Sequence, residues 1–101
     1  MDAVICDEYG GKGKRCALYI IIVNYNTKDL LRQCVNSILE NAPGYSFEVV
    51  VVDNASHDGS PEYIRSNYES IKLIANDANV GFSAGNNLGI TASAGNYILL
   101  L

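Results

Sequence analysis

The chain has 101 residues, 49% of them hydrophobic and 18% charged, with a formal net charge of -4 and a sequence pI near 4.7. That is enough for one domain, and too apolar for a disordered tail. The acidic balance argues against a backbone-driven nucleic-acid binder, which needs a basic face.

Residues 1–16 read as an irregular leader, broken by Gly10, Gly11 and Gly13, with Lys12, Lys14 and Arg15 as a solvated cluster. The segment Met1 to Asp7 lacks the positive flank and long apolar core of a signal peptide. No apolar run approaches the roughly 20 residues of a membrane span. Cys6, Cys16 and Cys34 are odd in number and widely spaced, with no C-x-x-C pair. Neither a zinc site nor a redox pair is signalled, and a reducing, cytoplasmic setting is expected.

The folded part is expected over 17–101. Leu18 to Val23 is a short, wholly apolar run of the kind buried on both faces in a parallel sheet. Asn26 or Thr27 can cap a helix whose apolar stripe is Leu30, Leu31, Cys34, Val35, Ile38 and Leu39, ended by Pro43 and Gly44. Cys34 then serves as a small buried hydrophobe. Phe47 to Val52 reads as a second buried strand, followed by a polar loop, Asp53 to Gly59. Ser60 is expected to cap a second helix that opens with Pro61. Ile71 to Ala75 reads as the third strand, and a long polar loop runs from Asn76 to Phe82. A third helix is expected from Ser83 to about Ala92, and a fourth strand from Tyr97 to Leu101, where the chain stops.

Strands alternating with helices imply an α/β domain with a parallel sheet and helices on both faces. In such a sheet, binding residues collect in the loops past the carboxyl ends of the strands. Asn24-Tyr25-Asn26-Thr27, Asp53 to Gly59 and Asn76 to Phe82 are therefore the informative segments.

Several nucleotide-fold motifs are absent from them. The first loop has no glycine, whereas a dinucleotide fold needs glycines there so that backbone can approach a pyrophosphate. No G-x-x-x-x-G-K-[ST] follows any strand. The stretch from Asn54 to Gly59 faintly resembles a calcium loop, but Arg65 stands where the bidentate glutamate belongs. His57 is the sole histidine and has no neighbouring Cys or second His, so it reads as a loop residue.

What remains is Asp53 at the tip of strand two. A carboxylate there can accept hydrogen bonds from a base N–H or from ribose hydroxyls. Tyr25 offers a flat face for stacking, worth roughly 1–3 kcal/mol per base in single-stranded nucleic-acid sites. Asp53 and Asn54 equally suit a plain turn, and Ser60 a plain cap, so the residues alone leave both readings open. The segment from Asn76 to Ile90 holds four Asn and three Gly in fifteen positions. Gly85 and Gly89 each cost a helix roughly 1 kcal/mol relative to Ala, and either close helix–sheet packing or a close ligand would account for them.

Three segments together resemble the family 2 glycosyltransferases, the inverting GT-A enzymes, and especially their rhamnosyltransferase-like members. They are Ile21-Ile22-Val23-Asn24-Tyr25-Asn26, then Val51-Val52-Asp53-Asn54-Ala55-Ser56 with Asp58-Gly59-Ser60, and Asn79 through Gly89. The resemblance covers Tyr19 to Leu101 and implies a Rossmann-like GT-A half-domain with strand order 3-2-1-4. It implies that the Val23 backbone and Tyr25 flank a nucleotide base and that Asp53 hydrogen-bonds it. Asn24 and Asn26 belong to the same loop, and Asn76, Gly81 and Asn87 would line the base–ribose side.

The implied donor is a UDP- or dTDP-linked sugar, transferred to an acceptor hydroxyl with inversion. The family's divalent cation (Mg or Mn) and its catalytic carboxylates follow strand four and belong to the complete enzyme. Residues 17–101 are thus expected to be the nucleotide-binding part of a domain truncated in strand four, inactive alone. They are also expected to self-associate through that strand. The alternative is a non-catalytic nucleotide-binding or interaction module derived from the same fold.

Overall fold

The computed structural model describes residues 18–41, 46–93 and 97–101. The leader, with its basic cluster, and the helix-ending Pro43 and Gly44 lie outside these residues. Seven elements alternate along the chain: β1 (Leu18–Asn24), α1 (Lys28–Glu40), β2 (Phe47–Asp53), α2 (Ser60–Asn67), β3 (Lys72–Ala75), α3 (Phe82–Ala92) and β4 (Tyr97–Leu100). The four strands are parallel, in the order β3-β2-β1-β4 expected from the sequence.

The two central strands explain the layering. Their side chains alternate between faces. On one face Ile20, Ile22, Val49 and Val51 pack with Leu31 and Val35 of α1 and Ile64 of α2. On the other, Tyr19, Ile21, Val50 and Val52 form a second cluster with Val23 and Ile74. α3 lies on this second face. A Cβ on Gly89 would come within 2.4 Å of Ile21 Cγ2, and one on Gly85 within 3.0 Å of Val23 Cγ1. The two glycines therefore bring helix backbone flush against β1. The packing gained offsets their helix penalty of roughly 1 kcal/mol each.

The helix starts differ from the expected caps. Thr27 sits at the N-cap of α1 but makes no side-chain cap; its Oγ1 donates to Asn24 Oδ1 instead, at 2.7 Å. Ser60 is the first residue of α2, and Gly59 occupies the N-cap at φ +86. Asp58 performs both caps. Its Oδ2 accepts from the Lys28 backbone N–H (2.9 Å), and its Oδ1 accepts from the N–H and hydroxyl of Ser60. One carboxylate thus serves the free N–H groups of two helices, where the macrodipoles favour negative charge. These bonds, the Ser60 hydroxyl first, hold the Asp58 carboxyl below the usual range. The third strand and helix each differ from expectation by one residue: Ile71 precedes β3 and packs into the core, and α3 begins at Phe82.

Candidate functional site

The register brings three strand ends level. Asn24 stands opposite Asp53, and Asp53 opposite Ala75. The loops that follow all leave from one end of the sheet.

Asn24 and Asp53 are buried, at 2% and 1% exposure. Asp53 Oδ1 accepts from Asn24 Nδ2 (2.9 Å) and from the Ser56 hydroxyl (2.8 Å), while Oδ2 accepts from the Ser56 backbone N–H (2.9 Å). An ionised carboxylate has about four acceptor positions, so three bonds come close to satisfying this one. Burial without such partners would be costly. The network reaches back to the first loop, where the Asn26 N–H donates to Ser56 Oγ (2.8 Å) and the His57 N–H donates to Asn26 Oδ1 (2.7 Å). Asn26 and Ala55 both hold left-handed backbone, at φ +52 and +65. That conformation is uncommon outside glycine, and the cross-loop bonds hold it in place. Tyr25 stands between these anchors and is 46% exposed.

The third loop is attached to the same strand tip. The Asn76 N–H donates to the Asp53 carbonyl (2.8 Å), and Asn76 Nδ2 to Asn54 Oδ1 (2.9 Å). Asn54 Nδ2 donates to the Gly81 carbonyl (3.1 Å). Gly81 turns the chain into α3 at φ +89, and its N–H is held by Asn79 Oδ1 (2.9 Å).

Of the residues singled out from sequence, Val23, Asn24, Tyr25, Asn26, Asp53, Asn76 and Gly81 gather at these strand ends. Asn87 is exposed on the outer side of α3, where it lines a shallow groove with Val80, Ala84, Leu88 and Thr91. The sheet-facing asparagine of that helix is Asn86, buried beside Gly85 and Gly89, and its Oδ1 accepts no hydrogen bond among the described residues. Ser56, Asn54 and Asp58, which sequence reasoning treated as turn residues, are the ones that join the loops. Their signals were the density of Asn, Asp and Ser and their place in the second segment of the family resemblance.

The chemistry available at the strand ends is polar binding. Among the described residues no group of three or more His, Cys, Asp or Glu could hold a metal ion. The described residues therefore do not make a divalent-cation site. Among them, too, no helix is long and apolar enough to cross a membrane.

The sequence model described as "Glycosyl transferase family 2" matches residues 19–101. The chain belongs to that family. Among relatives of this family 2 glycosyltransferase chain, glycosyltransferase AglE of Haloferax volcanii is 33% identical over 86 residues, covering 81% of this chain and 28% of AglE. The succinoglycan biosynthesis protein ExoO of Rhizobium meliloti is 34% identical over 82 residues, covering 80% and 23%. The poly(ribitol-phosphate) beta-glucosyltransferase of Bacillus spizizenii is 31% identical over 87 residues, covering 81% and 14%. Among solved structures, the mannosyltransferase PcManGT of Pyrobaculum calidifontis, in complex with GDP-Man and Mn2+, superposes with a TM-score of 0.71 at 26% identity. The match covers 85% of this chain and 27% of PcManGT. The chain thus spans roughly a quarter or less of the length of these relatives, and it carries the GT-A, Rossmann-like fold.

Proposed function

We propose that this family 2 chain is the nucleotide-binding part of an inverting glycosyltransferase that passes a sugar from a nucleoside diphosphate to an acceptor hydroxyl. The observation that carries the reading is the convergence of three loops on the tip of β2, with Tyr25 exposed beside a buried Asp53. In this proposal the base stacks on Tyr25 next to the Val23 backbone. Asp53 Oδ2, which accepts a single bond here, takes a base N–H. Asn24 and Asn26 hold the first loop in shape, and Asn76 and Gly81 line the ribose side.

Uracil and thymine each present a ring N–H that a carboxylate can accept, as guanine also does, and a UDP- or dTDP-linked sugar is the donor proposed from the family resemblance. PcManGT was solved with GDP-Man, which makes GDP the natural competitor to test. A divalent cation, Mg or Mn, would neutralise the diphosphate leaving group in the complete enzyme, held by residues other than those described here. The chain alone is proposed to turn over no donor.

Calorimetric titration with UDP, dTDP and GDP, with and without Mn2+, tests the reading. Weak binding of UDP or dTDP that needs no metal supports it, and no binding of any nucleotide defeats it. Donor turnover above a buffer blank, with any cation, would overturn the proposed inactivity.

A further inference from the structure

Asp53 and Asn54 are neighbours at the tip of β2, and they divide the loops between them. Among the described residues, the Asp53 side chain binds the first loop and its own turn, through Asn24 and Ser56. The Asn54 side chain there binds the third loop, through Asn76 and Gly81. Asn54 is 2% exposed, and its backbone N–H is fixed to the Asn24 carbonyl at 2.9 Å. Its carboxamide therefore projects from a rigid base.

The match of groups is specific. The Gly81 carbonyl only accepts and the Asn76 amide nitrogen only donates, so the residue between them must donate at one end and accept at the other. A carboxamide does both. A carboxylate of the same shape meets the Gly81 carbonyl with a second acceptor. The first turn of α3 also packs against this side chain, since a Cβ on Gly85 would lie in ordinary contact with Asn54 Nδ2, at 3.4 Å. The start of α3 is thus seated on this side chain.

We infer that Asn54 is a positioning residue. It sets where the β3–α3 loop and the start of α3 stand relative to Tyr25 and Asp53, and so sets the width of the proposed nucleotide cleft. The inference rests on the nucleotide reading above. It places cleft geometry on a residue that need not touch the ligand.

The test is N54D in this chain, followed by amide hydrogen exchange of the free protein and by UDP and dTDP titration. The expected result is a cooperatively folded variant in which amides of residues 77–83 exchange at least about tenfold faster. Those of residues 24–27 should stay as in the wild type, and nucleotide Kd should rise about tenfold. A purely structural role would loosen both loops alike. That outcome overturns the inference, and so does unchanged affinity alongside a wild type that binds. A wild type that binds no nucleotide defeats the functional reading and this inference with it. Should N54D fail to fold, N76S removes the donor to Asn54 Oδ1 from the other side and is expected to give the same one-sided loosening.

Discussion

The carboxyl end of β1 and its outer side stand in contrast. At its carboxyl end Asn24 is enclosed by polar partners from two loops, and Asp53 opposite it is 1% exposed with three hydrogen bonds. Along its outer side lies β4, which pairs with β1 alone among the described residues and whose Tyr97, Ile98, Leu99 and Leu100 are all exposed. The polar region is finished by the chain's own side chains. The apolar region is, among the described residues, a sheet edge with no strand on its outer side, and such an edge is a template for another strand. The difference teaches where order comes from. Directional bonds fix the tips locally, whereas non-directional apolar surface needs a covering layer before it contributes.

The largest effect is expected at the tip. D53A takes the acceptor from three donors: the buried Asn24 amide, which keeps only a longer bond to Ser56 Oγ (3.3 Å), and the half-buried Ser56 N–H and hydroxyl; a buried donor left unpaired costs about 1–3 kcal/mol. Urea unfolding should show a loss of about 3 kcal/mol or more, and calorimetry should show no nucleotide binding. Binding retained at wild-type affinity would remove Asp53 from the proposed site.

Next is G89A. The new methyl enters space held by Ile21 Cγ2. Overpacking costs about 1–3 kcal/mol, and alanine returns roughly 1 kcal/mol of helix propensity, so a net loss of about 1 kcal/mol in urea unfolding is expected. If G89A is stabilised instead, α3 does not lie flush on β1.

D58A removes a shared cap and is expected to cost about 1 kcal/mol. Because the carboxyl is held below its usual range in the fold, its contribution is present above the carboxyl range of the unfolded chain. It is lost as pH falls through the lower, folded value. The gap between wild type and D58A in thermal unfolding should therefore narrow as pH falls from neutral through and below the usual carboxyl range. A gap that widens would contradict the capping role.

The smallest effect on stability is expected at the edge, where L99K exchanges one exposed side chain for another, within about 0.5 kcal/mol. Its effect should appear in mass instead. Light scattering at micromolar concentration should show the wild-type chain self-associated through β4 and L99K shifted towards monomer. A monomeric wild type removes β4 as a self-pairing edge.

The fold was legible because its central strands are unbroken apolar runs. Residues such as Ile20 to Val23 and Val49 to Val52 can be satisfied only inside a layered parallel sheet. Gly85 and Gly89 were legible as small residues at helical spacing, and the structure settles their use as helix–sheet contact. The caps were less legible. Ser60 carries a good capping side chain, yet Gly59 holds the N-cap and Asp58 supplies the capping oxygens, reaching two helix ends at once.

By itself the sequence determined the order of elements, the parallel sheet and the three loops that meet at its carboxyl end. Hydrophobic period and turn chemistry are local properties, readable over a few residues. Only tertiary structure decided which polar side chains join those loops. Asn24 finds Asp53 across 29 residues and Asn54 finds Gly81 across 27. It also turned Asn86 inward and Asn87 outward, through the rotation at which α3 seats its glycines on β1. An asparagine in a loop has the same local preferences whether it ends as a turn, a latch or a ligand contact. The distinction lies in what the fold brings within hydrogen-bonding distance.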